Sequence, residues 1–237
     1  MAKIMKVYQT KNYMLNDAFD RIVARIHMKK QKDKMSTFVV CGTQPGVGTT
    51  SVAINLAIAM AGSGWKTLLI DSDLRKVGKH KHLNETEDYG LSDYLDQKTE
   101  IEEVIYDTNH DHLSYLPSGI ESNSVVRGIC SVRMQQLLEQ VEKEYDYVIV
   151  DVPAMSAAVD GSVVASLVDG TVMVTSQRKG YTIKAIREAK RELDRVGANV
   201  LGIIVNQVEP AEYRRSMKNY DYFKKHKYMK KKIGGRV

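Results

Sequence analysis

The chain has 237 residues, a net charge of +6, 43% apolar and 27% charged residues, which suits one soluble domain with a well-buried core. No apolar run reaches the roughly 20 residues that span a bilayer. The opening MAKIMKVYQTKNY lacks the apolar stretch of a signal peptide, and two distant cysteines, Cys41 and Cys130, suggest neither a disulfide framework nor a metal site, so a cytoplasmic, reduced protein is expected. Residues 212–237 hold ten Lys/Arg against two acids. That surplus exceeds the charge of the whole chain, so the rest is near neutral, which argues against a nucleic-acid-binding fold.

In chain order, residues 16–30 predict an amphipathic helix with Ala18, Phe19, Ile22, Val23 and Ile26 on one stripe, capped by Asn16 or Asp17. Strands are expected at 38–41, 67–71, 113–116, 147–151, 171–175 and 200–205. Between them fall helices at 50–61, 91–95, 100–106, 132–144, 161–168 and 182–196. Runs such as Tyr147-Val148-Ile149-Val150 do not alternate with polar residues and read as strands buried on both faces of a parallel sheet. All four prolines follow such runs, where the chain turns. The expected fold is a doubly wound, mostly parallel α/β sheet with helices on both faces. It divides into an N-terminal helical segment (1–35), a nucleotide-binding domain (36–211) and a basic, tyrosine-containing tail (212–237).

In such sheets ligands bind beyond the carboxyl ends of the strands, so the residues after the apolar runs matter most. The first such stretch is CGTQPGVGTTS, Cys41 to Ser51. Pro45, Gly46, Val47, Gly48, Thr49, Thr50 and Ser51 form a glycine loop opening a helix, where backbone N–H groups can approach phosphate oxygens. The usual pattern asks for lysine after the last glycine, and Thr49 stands there. The second is LLIDSDLRK, in which Asp71 and Asp73 flank one turn and Arg75 follows. The third is YDYVIVDVPA, with Asp151 ending an apolar strand where a Mg²⁺ ion is commonly held through water. Each loop alone has an ordinary reading as a turn or cap. Three in this order, each after a strand, point to one nucleotide site.

With these loops in view, the sequence resembles the bacterial tyrosine kinases (BY-kinases) of capsular and extracellular polysaccharide export, relatives of the septum-site and partition P-loop ATPases. The resemblance rests on PGVGTTSVAINLA as Walker A, LLIDSDLRK as Walker A′ and YVIVDVPA as Walker B. YGLSDYL, LPSG and GANVLGIIVNQV add to it. It implies ATP and Mg²⁺ as cofactors, with phosphate contact at Thr49, metal binding at Thr50, Asp71 and Asp151, and catalytic roles for Asp71, Asp73 and Arg75. It places an adenine contact at Asn206 and phosphoacceptors at Tyr213, Tyr220, Tyr222 and Tyr228. It also implies a separate membrane-anchored activator or chain-length regulator, and a location at the inner face of the membrane through that partner.

The sequence departs from the family at three points. Thr49 is short and neutral where a lysine would reach the β- and γ-phosphates, and Lys66, Lys76 and Arg75 are the nearby cations that could stand in. The family's first helix begins Glu-Ala-Tyr-Arg and makes ring-like oligomer contacts. Here Asp17, Phe19 and Asp20 fill three of those places, with Arg21 and Arg25 close by, so both an oligomer contact and simple packing on the domain stay open. The tail is richer in lysine than in tyrosine, which also suits an anionic membrane surface. The expected activity is ATP-dependent tyrosine autophosphorylation weakened or lost at Thr49. The alternatives are a pseudokinase partner of polysaccharide assembly and a membrane-surface positioning protein. Trp65 is expected to pack at the sheet edge, and His80 and His82 lack a third partner for a metal.

Overall fold

A computed structural model describes residues 4–8, 13–75, 89–119, 125–178 and 183–216. Three tail tyrosines, Tyr220, Tyr222 and Tyr228, lie outside them, as do Lys76, His80 and His82.

The apolar runs form a seven-stranded sheet in the order β3-β4-β2-β5-β1-β6-β7. Its strands are β1 (Thr37–Gly42), β2 (Thr67–Asp71), β3 (Tyr106–Asp107), β4 (Leu113–Leu116), β5 (Tyr147–Asp151), β6 (Gly170–Ser176) and β7 (Val200–Asn206). Every pairing is parallel except β3 with β4. Strands β1, β2, β5 and β6 are buried along their whole length, as an absence of polar alternation requires.

Helices cover both faces. On one, α1 (Tyr13–Asp33) and α2 (Thr49–Gly62) pack over Phe38, Val40, Leu69 and Ile149. On the other lie α3 (Leu91–Leu95), α4 (Val125–Ile129), α5 (Val132–Glu144), α6 (Asp160–Ala165) and α7 (Ile183–Arg195). There Val39, Leu68, Ile70, Val148 and Val150 meet residues such as Leu137, Val164 and Leu193. A last helix, α8 (Pro210–Ser216), crosses the point at which the charge pattern separates domain from tail, with proline at its first position. No helix among the described residues is long and apolar enough to cross a membrane.

Local expectations were overturned at three points. Helix α1 begins at Tyr13, so Asn16 and Asp17 lie within it, and Asp17 pairs with Arg21 at 3.0 Å instead of capping. The segment read as a helix at 100–106 is a 3-10 turn at Ile101–Glu103 followed by β3. Residues 4–8 are not helical. Met5 bridges Thr108 in parallel, its N–H donating to Asp107 O at 2.9 Å and its carbonyl accepting from Asn109 N–H at 3.1 Å. Met5 and Val7 are buried there, extending the sheet beyond β3.

Trp65 packs as expected at the amino-terminal edge of the sheet. It stacks on His27 of α1, centroids 4.4 Å apart, and meets Tyr147 edge-on at 5.2 Å. His27 Nδ1 and the Tyr147 hydroxyl are 2.7 Å apart. This cluster fastens α1 at the end of the sheet opposite the glycine loop.

Candidate functional site

Strand register brings the three loops together. Asp71 and Asp151 are directly paired residues at the ends of adjacent β2 and β5, and Val40 of β1 faces Asp151 from the other side. The glycine loop therefore leaves the sheet beside both aspartates. Ser72 N–H donates to Asp151 O at 2.9 Å, and Met155 N–H to Gly42 O at 2.8 Å, so the segments after β1, β2 and β5 are tied to one another at the rim.

The loop itself has the shape that its glycines permit. Gly46 and Gly48 have φ of 78° and 88°, the left-handed region open to glycine without strain. Gly48 then caps α2, whose first turn carries no acidic residue and no side-chain cap bond. The positive end of α2 is therefore not offset by an acid of its own first turn. Thr49 opens the helix with its hydroxyl against Gly42, where an added Cβ would lie 2.3 Å from Thr49 Oγ1 and 2.9 Å from Val47 Cγ2. Cys41, at the end of β1, is pushed up to about 12 by burial, which keeps its thiol inert as a nucleophile.

Asn206, expected to contact adenine, is a strut of the loop. Its Nδ2 donates to Val47 O at 2.9 Å, and its Oδ1 accepts from Gln207 N–H at 2.8 Å. Gln207 adds a bond to Gly46 O at 3.5 Å, and Ser176 Oγ donates to Gln207 Oε1. The β7 end thus holds the glycine loop from outside. Gln207 has no motif of its own, and only its place after Asn206 could have drawn attention to it.

Among the acidic residues, Asp71 and Asp151 are buried and Asp73 is half-buried. Asp71 Oδ1 accepts from Asp73 N–H at 2.9 Å, which closes the turn between them. Arg75 is committed elsewhere. Its Nε and Nη2 donate to Asp160 Oδ2 and Oδ1 at 2.7 and 2.9 Å. Those bonds, with the charges of Asp160 and Asp73, raise the guanidinium's pKa against a smaller opposing effect of burial. Asp160 is wholly buried at the first position of α6. Nothing local announces such a partner, because an acid at a helix start reads as a cap. Lys66, the other described cation considered for the lysine's role, precedes β2 at the opposite edge, with its Nζ 4.7 Å from the Tyr145 ring. Tyr213 lies on α8, half-buried, its pKa raised by burial first and by Asp17 second, against a lowering effect of Arg21.

The residues present suit a phosphate and a divalent cation at the glycine loop, the helix end and the carboxylates. They do not supply the usual phosphate-facing lysine. A family model described as an AAA domain matches residues 35–202. The chain belongs to the AAA domain family. Among its relatives, the "Putative tyrosine-protein kinase EpsB" of Ralstonia solanacearum is 31% identical over 176 residues. These make up 74% of this chain but 23% of that protein, so this chain spans about a quarter of that relative's length. The tyrosine-protein kinase CpsD of Streptococcus pneumoniae serotype 4 is 29% identical over 75% of this chain and 78% of its own. The kinase domain of the Escherichia coli tyrosine kinase ETK superposes with a TM-score of 0.76 at 28% identity, covering 82% of this chain and 77% of that one. The resemblance to bacterial tyrosine kinases drawn from the loops is borne out, as is the mostly parallel α/β fold. No group of three His, Cys, Asp or Glu among the described residues is arranged to hold a metal. A cation here would therefore need phosphate oxygens or water as further ligands.

Proposed function

We propose that this chain is a BY-kinase-like nucleotide-binding regulator of capsular or extracellular polysaccharide assembly, in which phosphoryl transfer to tyrosine is weakened or lost. In this reading Pro45 to Ser51 cradle the phosphates of ATP. Thr50, Asp71 and Asp151 hold Mg²⁺, Asp73 serves the attacking hydroxyl, and Asn206 shapes the loop beside the base. A separate membrane-anchored protein acts as its activator, and contacts through α1 assemble copies of the chain.

The observation that carries the reading is Thr49. It takes the position of the phosphate-facing lysine, with a hydroxyl that packs against Gly42. Among the described nearby cations, Arg75 is engaged by Asp160 and Lys66 is at the far edge of the sheet. A charge-assisted hydrogen bond contributes about 1.5–3 kcal/mol, and more in a phosphoryl-transfer transition state, where charge stabilisation dominates. The same observation favours a pseudokinase partner over an active enzyme.

Two measurements test the reading. Calorimetry with ADP and ATP, with and without Mg²⁺, should show Mg²⁺-dependent binding in the micromolar range or weaker. Mass spectrometry after incubation with Mg-ATP should find Tyr213, Tyr220, Tyr222 and Tyr228 little modified. No nucleotide binding at millimolar concentration would remove the site, and rapid stoichiometric tail phosphorylation would remove the impairment.

A further inference from the structure

The two edges of the sheet are finished differently. Outside β3, Met5 bridges Thr108 in parallel and is buried together with Val7. At the other edge β7 pairs with β6 alone, and among the described residues no strand lies on its outer side. An edge strand offers a row of backbone N–H and C=O groups to any strand that can reach it, and proteins guard such edges with charges, prolines or bulges. The strand VLGIIVN, Val200–Asn206, has neither charge nor proline. Its one irregularity is a register shift at the amino end, after which Gly202 to Asn206 pair regularly with Val172 to Ser176. Ile203 and Val205 stand two residues apart, hence on one face, and are 43% and 40% exposed. On the opposite face, a Cβ added at Gly202 would meet nothing within 4 Å.

We propose that the outer side of β7 is a docking edge for a second copy of this chain, the two strands pairing antiparallel about a two-fold axis at Ile204. Full overlap of the regular stretch, Gly202 to Asn206, sets Ile204 against the second copy's Ile204. The same register sets Ile203 against the second copy's Val205, and Val205 against its Ile203. Both exposed apolar side chains are then covered by β-branched cross-strand pairs, which stabilise sheets. Asn206, whose side chain is bound to Val47 O, falls opposite Gly202, which has no side chain to crowd it. In a two-fold contact each charge near the axis meets its own like, and this strand carries none. A charged partner strand would find no complement here. The edge is separate from α1, which packs over a face of the sheet.

The test is sedimentation velocity on the full chain from about 1 μM to about 1 mM. The wild type should pass from monomer to dimer across that range. Ile203→Lys with Val205→Lys sets like charges opposite each other and should weaken the dimer at least roughly tenfold. Ile203→Lys with Val205→Glu sets opposite charges across the same pairs, and should return to within roughly threefold of the wild type. Hydrogen exchange on the wild type needs no variant: the amides of Gly202 to Asn206 should slow as the concentration rises. A monomer at the highest concentration overturns the proposal, as does a dimer indifferent to the two lysines. A Lys/Glu variant as weak as the Lys/Lys one overturns it too. So does β7 exchange that is the same at every concentration, which would leave the edge empty or filled by a segment of the same chain.

Discussion

Thr49 Oγ1 fills the space beside Gly42 that a methyl group would otherwise occupy, 2.3 Å from where a Cβ would stand. A lysine at 49 would carry its charge beyond this contact, along the loop towards the phosphates. Thr49→Lys should therefore raise ATP affinity at least roughly tenfold, about 1.4 kcal/mol, measured by calorimetry with Mg²⁺. No gain would show that the loop has drifted from a phosphate-binding shape as well as losing its cation.

The hold of β7 on the loop predicts a loss of order without loss of fold. Asn206→Ala removes the bonds to Val47 O and Gln207 N–H. Stability should fall by about 1–2 kcal/mol in urea unfolding, with faster amide exchange confined to the segment from Gly46 to Gly48. Gly48→Ala should cost more, since its φ is +88° and its Cβ would meet Asn206 Nδ2 at 2.3 Å.

Trp65 is the one tryptophan of the chain, and it stacks on His27, so its emission reports whether α1 is seated. His27→Ala removes the stack and the hydrogen bond to Tyr147, a combined loss of about 1–3 kcal/mol. The expected signature is a red-shifted Trp65 emission and a lower unfolding midpoint. An unshifted spectrum would mean that α1 is held by its apolar stripe alone.

Tyr147 sets an alkaline limit. Burial first, and the nearby Asp146 charge second, push its phenol from 10.0 up to about 12. Below pH 10 the phenol is protonated folded and unfolded, and its full contribution is present. From about 10 to about 12 only the unfolded chain ionises, so stability falls as pH rises. Tyr147→Phe should flatten that part of the profile in urea titrations. Tyr94 and Tyr145 are raised in the same direction, so some slope will persist in the variant.

The strands and rim loops could be read from sequence because their signals are local. A run such as Tyr147–Asp151 needs burial on both faces, and its last residue must then fall on the rim. What escaped was paired at a distance. Strand β3 is two residues long and exists through Tyr106–Tyr115 and Asp107–Ser114 pairing, while its acidic lead-in resembles a helix start. Arg75 was read as a site cation because its motif lies beside Asp73, yet its partner is 85 residues on. Asn206 was tied to the base by resemblance, and its bond to Val47 O depends on β7 standing next to β6, which no local pattern encodes.

The short segment at Ile4–Tyr8 has a practical consequence. With Met5 at 0% and Val7 at 2% exposure, it shields the backbone from Asp107 to Asn109 that would otherwise offer hydrogen bonds to another molecule's strand. Shortening the protein past Val7 would bare that flank and favour self-association and precipitation.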